Sequence, residues 1–365
     1  MTAARASGVL AAVRDSAWRK RRLLVVAWHG VSRHDEHLWD SELYVTREHL
    51  RARLTLLRDG GYNVLPLAVA LERQADGTLP ERSVALTFDD GFEDFATEVV
   101  PLLREFNMPA TLFLTTYYSV AGLPVFDSLL DYVLWAARTC RAADMTVGST
   151  RVTLATDTRR ARRRTWRALN DAATDAAFDA RERDNLISRV ATALGVDDAP
   201  IRARGVARIM PPATVRTLPS DLVTVQLHTH RHRMPHQRAM FVKELEDNTA
   251  AIHMMQDVSV PLCVLCYPSG TWHDEAFLWM REHGVKWAVT CDPALVDKHT
   301  RPFLVPRLVD TMAQSSARFE AWASGLAAWW PRRADDRRRD TQRVSADLRN
   351  PWNSMRDVPR VRSTT

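Results

Sequence analysis

Apolar runs of five or six residues recur along this chain, each ended abruptly by glycine, proline or clustered polar residues, and most are followed by a stretch with helical spacing. Residues 23–28 have the length and apolar content of a buried strand and deliver His29-Gly30-Val31 to its C-terminal end. Thr46 is placed to cap a helix in which Leu50, Leu54 and Leu57 share one face, with Gly60-Gly61 closing it. A short helix over 67–73 and a loop over 75–80 lead to a second strand, 84–88, which stops at Asp89-Asp90-Gly91. Asp94 is read as the cap of the next helix, whose stripe is Phe95, Val99, Leu102, Leu103 and Phe106, and Pro109 ends it before a strand over 110–115. The rhythm breaks over 122–219, where helical patterns at 128–137, 165–169 and 178–194 surround two short strand patterns at 145–147 and 151–154. It resumes with strands over 222–227, 262–267, 287–290 and 303–309, helices over 241–255 and 275–283, and a closing amphipathic helix over 315–330. Strand-helix alternation of this kind predicts a parallel sheet, and about seven strands predict a (β/α) barrel with fewer than eight. The 122–219 stretch then reads as a helical insertion into the barrel, expected to lie over the strand ends as a lid or substrate wall.

Composition adds little beyond a globular chain until charge is located. The 365 residues are 46% hydrophobic and 26% charged, enough for a large core. Net charge is +6, but ten arginines against five aspartates over 331–365 leave +5 in that tail and a nearly neutral body. The tail is therefore expected to be disordered, with an acidic partner or a membrane surface as its candidate contact, and a specific nucleic-acid role is not expected. Residues 1–22 form a separate N-terminal segment, in which the apolar patch at 9–13 is shorter than a signal-peptide core of roughly 7 residues or more. Cys140, Cys263, Cys266 and Cys291 are too few and scattered for a disulfide framework. Both points lead to the expectation of a cytoplasmic, soluble protein. Cys263-x-x-Cys266 has redox spacing, yet its place inside an apolar strand makes a buried pair the simpler reading. The pattern specifies no oligomeric state.

Candidate chemistry gathers at three strand ends: Asp89-Asp90-Gly91, residues 228–232, and Tyr267-Pro268-Ser269-Gly270. Adjacent residues at a strand end point in different directions, so one carboxylate can hold a metal while the other handles a proton. Alone, Asp-Asp-Gly is equally a turn closing a strand. His228 and His232 supply two imidazoles which, with one carboxylate, make a recurring open metal site. The plainer alternative is a surface loop rich in histidine (His228, His230, His232, His236). His230 alternates with its neighbours and should point away from an ion.

Taken together, Thr87-Phe88-Asp89-Asp90-Gly91 and His228-Thr229-x-x-His232 resemble the paired motifs of the polysaccharide deacetylase family, the NodB-homology domain of carbohydrate esterase family 4. Tyr267-Pro268-Ser269-Gly270 is similar to the third family motif in a short form, so the resemblance runs over roughly 23–310 apart from the insertion. It implies a distorted (β/α)7 barrel, with the catalytic body over 23–330. Asp90, His228 and His232 are implied to hold one divalent metal ion, usually zinc, with Asp89 as general base and a backbone N–H among Tyr267, Pro268, Ser269 and Gly270 on the oxyanion. Many relatives take a proton from a C-terminal Leu-x-His histidine, for which this chain has no good match. Trp28-His29-Gly30-Val31 instead resembles the N-terminal Tyr-His-x-Val of the branch acting on poly-N-acetylglucosamine, which implies His29 as general acid, with His273 and His299 as rivals. The arginine that orients the base in many relatives is missing from the third motif, and Arg307 on the last strand is the candidate replacement. Trp272 is a candidate stacking surface for a sugar ring. The implied activity is removal of an acetyl group from an N-acetylated sugar of a glycan. The alternatives are hydrolysis of a different non-peptide C–N bond and a non-catalytic glycan binder on the same scaffold.

Overall fold

The computed structural model describes residues 8–256 and 261–329. The predicted tail over 331–365 lies outside them. The chain divides into two compact units, one made of the described residues up to 120 and from 210 onward, the other of residues 121–209. Among the described residues no helix is long and apolar enough to cross a membrane.

The first unit is built on a parallel sheet of eight strands among the described residues. They are β1 (Leu24–Trp28), β2 (Asn63–Val64), β3 (Ser83–Phe88), β4 (Ala110–Leu114), β5 (Val223–Leu227), β6 (Val264–Cys266), β7 (Trp287–Val289) and β8 (Leu308–Val309). Their order is β7-β6-β5-β4-β3-β1-β8, with β2 paired to the start of β3. β1, β3, β4 and β6 are buried at every residue, as expected of parallel strands covered on both faces. Alternation divides each strand between two faces. Val25, Ala85, Phe113, Val264, Cys266, Val289 and Val305 join one core cluster with Leu67, Ala70 and Leu71 of helix Leu67–Asp76. Stepping two residues along the same face brings Ala85 to Thr87 and Asp89, and Val305 to Arg307. The registers Trp28↔Phe88, Phe88↔Leu112, Leu114↔Leu227, Leu227↔Leu265 and Cys266↔Val289 level the C-terminal ends, so His29, Asp89, His228 and Tyr267 reach one rim.

Two predicted strands are shorter than their apolar runs. The run at 262–267 starts pairing only at Val264, because the amides of Cys263 and Val264 donate to the Gln226 side chain at 3.0 and 2.9 Å. The run at 303–309 is not one strand, since it changes partners midway. Val305 exchanges bonds with β7 (its N–H to Ala288 O at 2.9 Å, its carbonyl from Thr290 N at 2.8 Å), whereas Leu308 and Val309 pair with β1. Pro306, which has no N–H to give either ladder, marks the switch. This segment links the two ends of the sheet order and closes the curl into a barrel.

Thr46 caps helix Arg47–Asp59 through its hydroxyl, as its position predicts. Asp94 does not cap the helix that follows it. Its carboxylate is buried and accepts the Val31 N–H at 2.8 Å, and the helix opens with a π-helical turn, Phe95–Val99. The described part of the N-terminal segment forms two short helices, Val9–Arg14 and Ala17–Lys20. Arg19 is fully buried there, held by the carbonyls of Arg22 and Ala323 at 2.6 and 2.8 Å.

The second unit holds helices Phe126–Ala136, Arg159–Asp175 and Ala180–Ala193 and an antiparallel hairpin, Ala143–Val147 with Thr150–Leu154. The arginine-rich run at 159–167 is helical. Ala161, Thr165, Leu169 and Ala172 bury one face of that helix, which leaves the run amphipathic rather than loop-like. Asn170 Nδ2 ties it to Asp127 Oδ1 at 2.9 Å.

Candidate metal centre and catalytic site

Beyond β3 the backbone takes a sharp turn. Asp89 N–H makes the last ladder bond to Trp28 O (2.9 Å), Asp90 and Gly91 both have positive φ (70° and 88°), and Gly91 N–H folds back on Asp89 O (2.8 Å). Asp89 thus stays on the barrel's inner face while Asp90 swings out of the strand. The loop after β5 turns in the same way, with Thr229 and His232 in the left-handed region (φ 59° and 55°), which brings the His228 and His232 rings edge to face at 4.8 Å. Non-glycine residues held there are strained, and such strain persists only where the surroundings fix it. Here Glu244 and Asn248, one helical turn apart on Arg238–Met255 and both fully buried, do the fixing. Glu244 accepts Arg231 N–H at 2.7 Å and Arg233 Nε at 2.6 Å, and Asn248 accepts His228 N–H at 3.0 Å.

Asp90 Oδ1 lies 3.1 Å from His228 Nε2 and 3.3 Å from His232 Nε2. His228 Nδ1 faces the Cys266 carbonyl at 2.9 Å, so this nitrogen carries the proton and Nε2 is the free donor atom. Two imidazole nitrogens and a carboxylate oxygen converging in this way fit a divalent cation of the zinc type. Electrostatics agree. Burial alone would raise the Asp90 carboxyl, but the His228 bond and the nearby His232 hold it well below the carboxylate range. His232 is pushed down to about 4, chiefly by burial, and is therefore neutral, the form that ligates. His230, whose Nδ1 bonds Thr116 Oγ1 at 2.8 Å, faces away from this group.

Asp89 meets a different partner. Arg307, fully buried, grips it with both terminal nitrogens, Nη1 to Oδ1 and Nη2 to Oδ2, each at 2.7 Å. Arg307 is itself fixed by Thr290 O (3.0 Å, from Nε) and Thr87 Oγ1 (3.1 Å, from Nη1). Burial works against the charge on Asp89, yet the Arg307 fork outweighs it and lowers the carboxyl to about 2. The Cys266 thiol, raised well above its ordinary value by burial, donates to Asp89 Oδ2 at 3.3 Å. Cys263 is buried as well, so the Cys-x-x-Cys pair is a strand feature of which only Cys266 reaches the site.

His29 Nε2 stands 3.8 Å from Asp89 Oδ2, while its buried Nδ1 has no hydrogen-bond partner. Gly30 follows because a Cβ there would run into the Tyr44 ring. Neither rival histidine joins Asp89. His273 bonds Glu275 and Pro235 O, and His299 is exposed on a loop where Val296 pairs with Leu23, at the opposite end of β1. In the third motif Pro268–Gly270 forms a 3-10 turn with Ser269 exposed at φ 55°. Gly270 N–H is used by Tyr267 O (2.9 Å), Pro268 has none, and Tyr267 N–H makes a long 3.4 Å contact to Val289 O. The Tyr267 hydroxyl bonds Phe303 O at 2.9 Å, so its side chain is structural. Trp272 is partly exposed and stacks on Phe277 at 5.9 Å.

Several supporting residues escape a motif reading. Asp310, one residue past β8, is buried and accepts Trp28 Nε1 at 3.1 Å, His49 Nε2 at 2.9 Å and Arg53 Nε at 2.9 Å, bracing the strand end that carries His29. Its signal was a carboxylate directly after an apolar run, as at Asp89. Glu244 and Asn248 were legible as polar residues within the buried stripe Phe241, Leu245, Ile252.

Comparison with known proteins bears on the fold and on the segment that carries the first motif. The polysaccharide deacetylase family model matches residues 76–174, which include Asp89-Asp90-Gly91 and stop short of His228. Poly-beta-1,6-N-acetyl-D-glucosamine N-deacetylase of Escherichia coli is 35% identical over 97 residues, 26% of this chain. The chain thus matches only 14% of that relative's length. The fold is shared with Streptococcus pyogenes deacetylase PplD solved with acetate (TM-score 0.54, 14% identity, 85% of this chain and 99% of that one) and with IcaB from Ammonifex degensii (TM-score 0.52, 16% identity, 83% and 97%). The barrel is therefore of the NodB type, with three residues that could hold a metal ion and a buried carboxylate at one rim. Over residues 76–174 the chain is similar to the polysaccharide deacetylase family.

Proposed function

We propose that this protein is a zinc-dependent hydrolase that removes the acetyl group from an N-acetylated sugar of a glycan in surface polysaccharide biosynthesis. The observation that carries the reading is the pairing of two roles at one rim: a His-His-Asp donor group, and beside it a second carboxylate kept ionised by a buried arginine fork. The name of the Escherichia coli relative supports an N-acetylated sugar as substrate. Four free cysteines support a reducing compartment and hence a cytoplasmic lipid-linked or nucleotide-linked glycan precursor.

Hydrolysis forms one C–O bond from water, breaks the amide C–N bond, and delivers a proton to the departing amine. Asp90, His228 and His232 would hold the zinc ion, which when bound supplies a positive charge that acidifies water and polarises a carbonyl. Asp89 accepts the proton of the attacking water, and Arg307 and the Cys266 thiol fix the direction of its carboxylate. His29 supplies the proton to the amine through Nε2, which stands 3.8 Å from Asp89 Oδ2. The Ser269 N–H, and the Tyr267 N–H once released from its long contact to Val289 O, are the candidate oxyanion donors of this motif. Trp272 offers an open ring face to the sugar.

The test is acetate release from β-1,6-linked N-acetylglucosamine oligomers by the full chain loaded with zinc. Asp90→Ala should lose both zinc and activity, and Asp89→Asn should keep zinc and lose activity. Full acetate release by Asp89→Asn would falsify the base assignment. Zinc binding without acetate from any N-acetyl sugar would favour a different C–N bond.

A further inference from the structure

Outside the centre described above, a second group of metal-type donors lies where the loop after β5 meets the loop after β6. His236, His273 and Glu275 offer ligand atoms that all lie within 4.8 Å of one another. The two imidazoles stack at 4.5 Å and 29°. His273 is buried between His236 and the edges of Trp279 and Phe241 (5.5 and 6.4 Å), so its ring cannot turn freely. His236 and Glu275 are exposed.

The hydrogen bonds of His273 leave an electrostatic gap. Its Nε2 lies 3.2 Å from Pro235 O, and a carbonyl only accepts, so this nitrogen must carry a proton. Its Nδ1 lies 3.0 Å from Glu275 Oε2. In the neutral ring that contact sets a nitrogen lone pair against a carboxylate, which nothing stabilises unless a positive charge stands between them. A second proton on the ring is one remedy, but burial and the adjacent His236 lower the affinity of His273 for it. A divalent cation is the other, and the exposed His236, whose ring must turn out of the stack to aim a nitrogen at the ion, is its third donor.

We propose that His236, His273 and Glu275 form a second zinc site, separate from the Asp90 centre. Two imidazoles and a carboxylate match the borderline character of zinc and leave a fourth position for water. Tetrahedral coordination sets ligand atoms about 3.3 Å apart, so the group must tighten by about 1.5 Å at its widest. The exposed His236 and Glu275 side chains can make that movement while buried His273 stays in place. The bound ion clips the loop carrying His232 to the loop carrying the third motif, fixing the rim from outside. This site stands independently of the proposed activity.

The experiment is zinc titration of the chelator-stripped full chain, by calorimetry and by metal analysis after gel filtration. Wild type should bind about two zinc ions, and His236→Ala and Glu275→Gln should each remove one. Both positions are exposed, so folding is preserved, which circular dichroism checks. Asp90→Ala should also remove one, and Asp90→Ala combined with His236→Ala both. Unchanged zinc content in His236→Ala, or a loss there that Glu275→Gln does not share, overturns the site. Unchanged content in Asp90→Ala instead sinks the catalytic centre and leaves this one standing.

Discussion

Asp94→Asn should make the protein more stable at high pH and leave it unchanged at low pH. Asp94 is buried, accepts one backbone N–H from Val31, and has Arg33 and Glu36 as the charged groups facing it. Burial is the dominant effect and raises its pKa from 3.8 to about 7, with the Val31 bond and Arg33 offsetting only part. The sign follows from proton counting. Between pH 4 and 7 the folded state keeps a proton that the unfolded chain has released, so stability falls as pH rises through that window and is flat above it. The gap between 3.8 and about 7 is worth about 4 kcal/mol, an upper bound since local opening relieves part of it. Asparagine keeps the Oδ1 acceptor for Val31 without the charge. Urea midpoints measured from pH 4.5 to 8.5 should therefore diverge between wild type and Asp94→Asn, with the variant gaining about 2–4 kcal/mol above pH 7. Parallel curves across the whole range would refute the claim that Asp94 carries this penalty.

The remaining predictions concern the site. Arg307→Met leaves a buried carboxylate without its counter-ion and should destabilise the chain by about 3–5 kcal/mol in thermal or urea unfolding; Arg307→Lys keeps the charge, loses the fork and should fall between. Cys266→Ala removes one bond to Asp89, worth about 1–2 kcal/mol, so kcat/KM for acetate release should drop about tenfold with zinc content unchanged. Glu244→Gln unties Arg231 and Arg233 and should weaken zinc binding at the Asp90 centre by about 10–100-fold in competition with a chelating dye. An unaltered affinity would mean the His232 loop holds its shape without help.

The barrel and the meeting of Asp90 with His228 and His232 were legible because the physics that makes them is local. Parallel strands read as near-continuous apolar runs, and Asp89-Asp90-Gly91 and His228 to His232 interrupt those runs where chemistry belongs. What escaped was set by tertiary contact. Asp94 sits where a capping residue would sit, and only the approach of Val31 draws its carboxylate elsewhere. The pattern Cys263-x-x-Cys266 says both thiols are buried, but which one faces Asp89 depends on register, which a sequence leaves open. Residues 303–309 look like one strand because partner exchange at Pro306 depends on β7 and β1 lying on either side, information held 16 and 282 residues away.

That partner exchange has a consequence for biosynthesis. The seam segment carries Arg307, and Arg307 balances the charge of Asp89, made more than 200 positions earlier. A ribosome-bound chain that has released β1 to β6 already holds the donor set of the Asp90 centre, yet its Asp89 would be a carboxylate without a counter-ion at the mouth of an unsealed curl. Sealing the barrel and giving Asp89 its counter-ion are therefore a single late event, so on the proposed function a nascent or truncated chain ending before Arg307 should release no acetate even where it loads zinc.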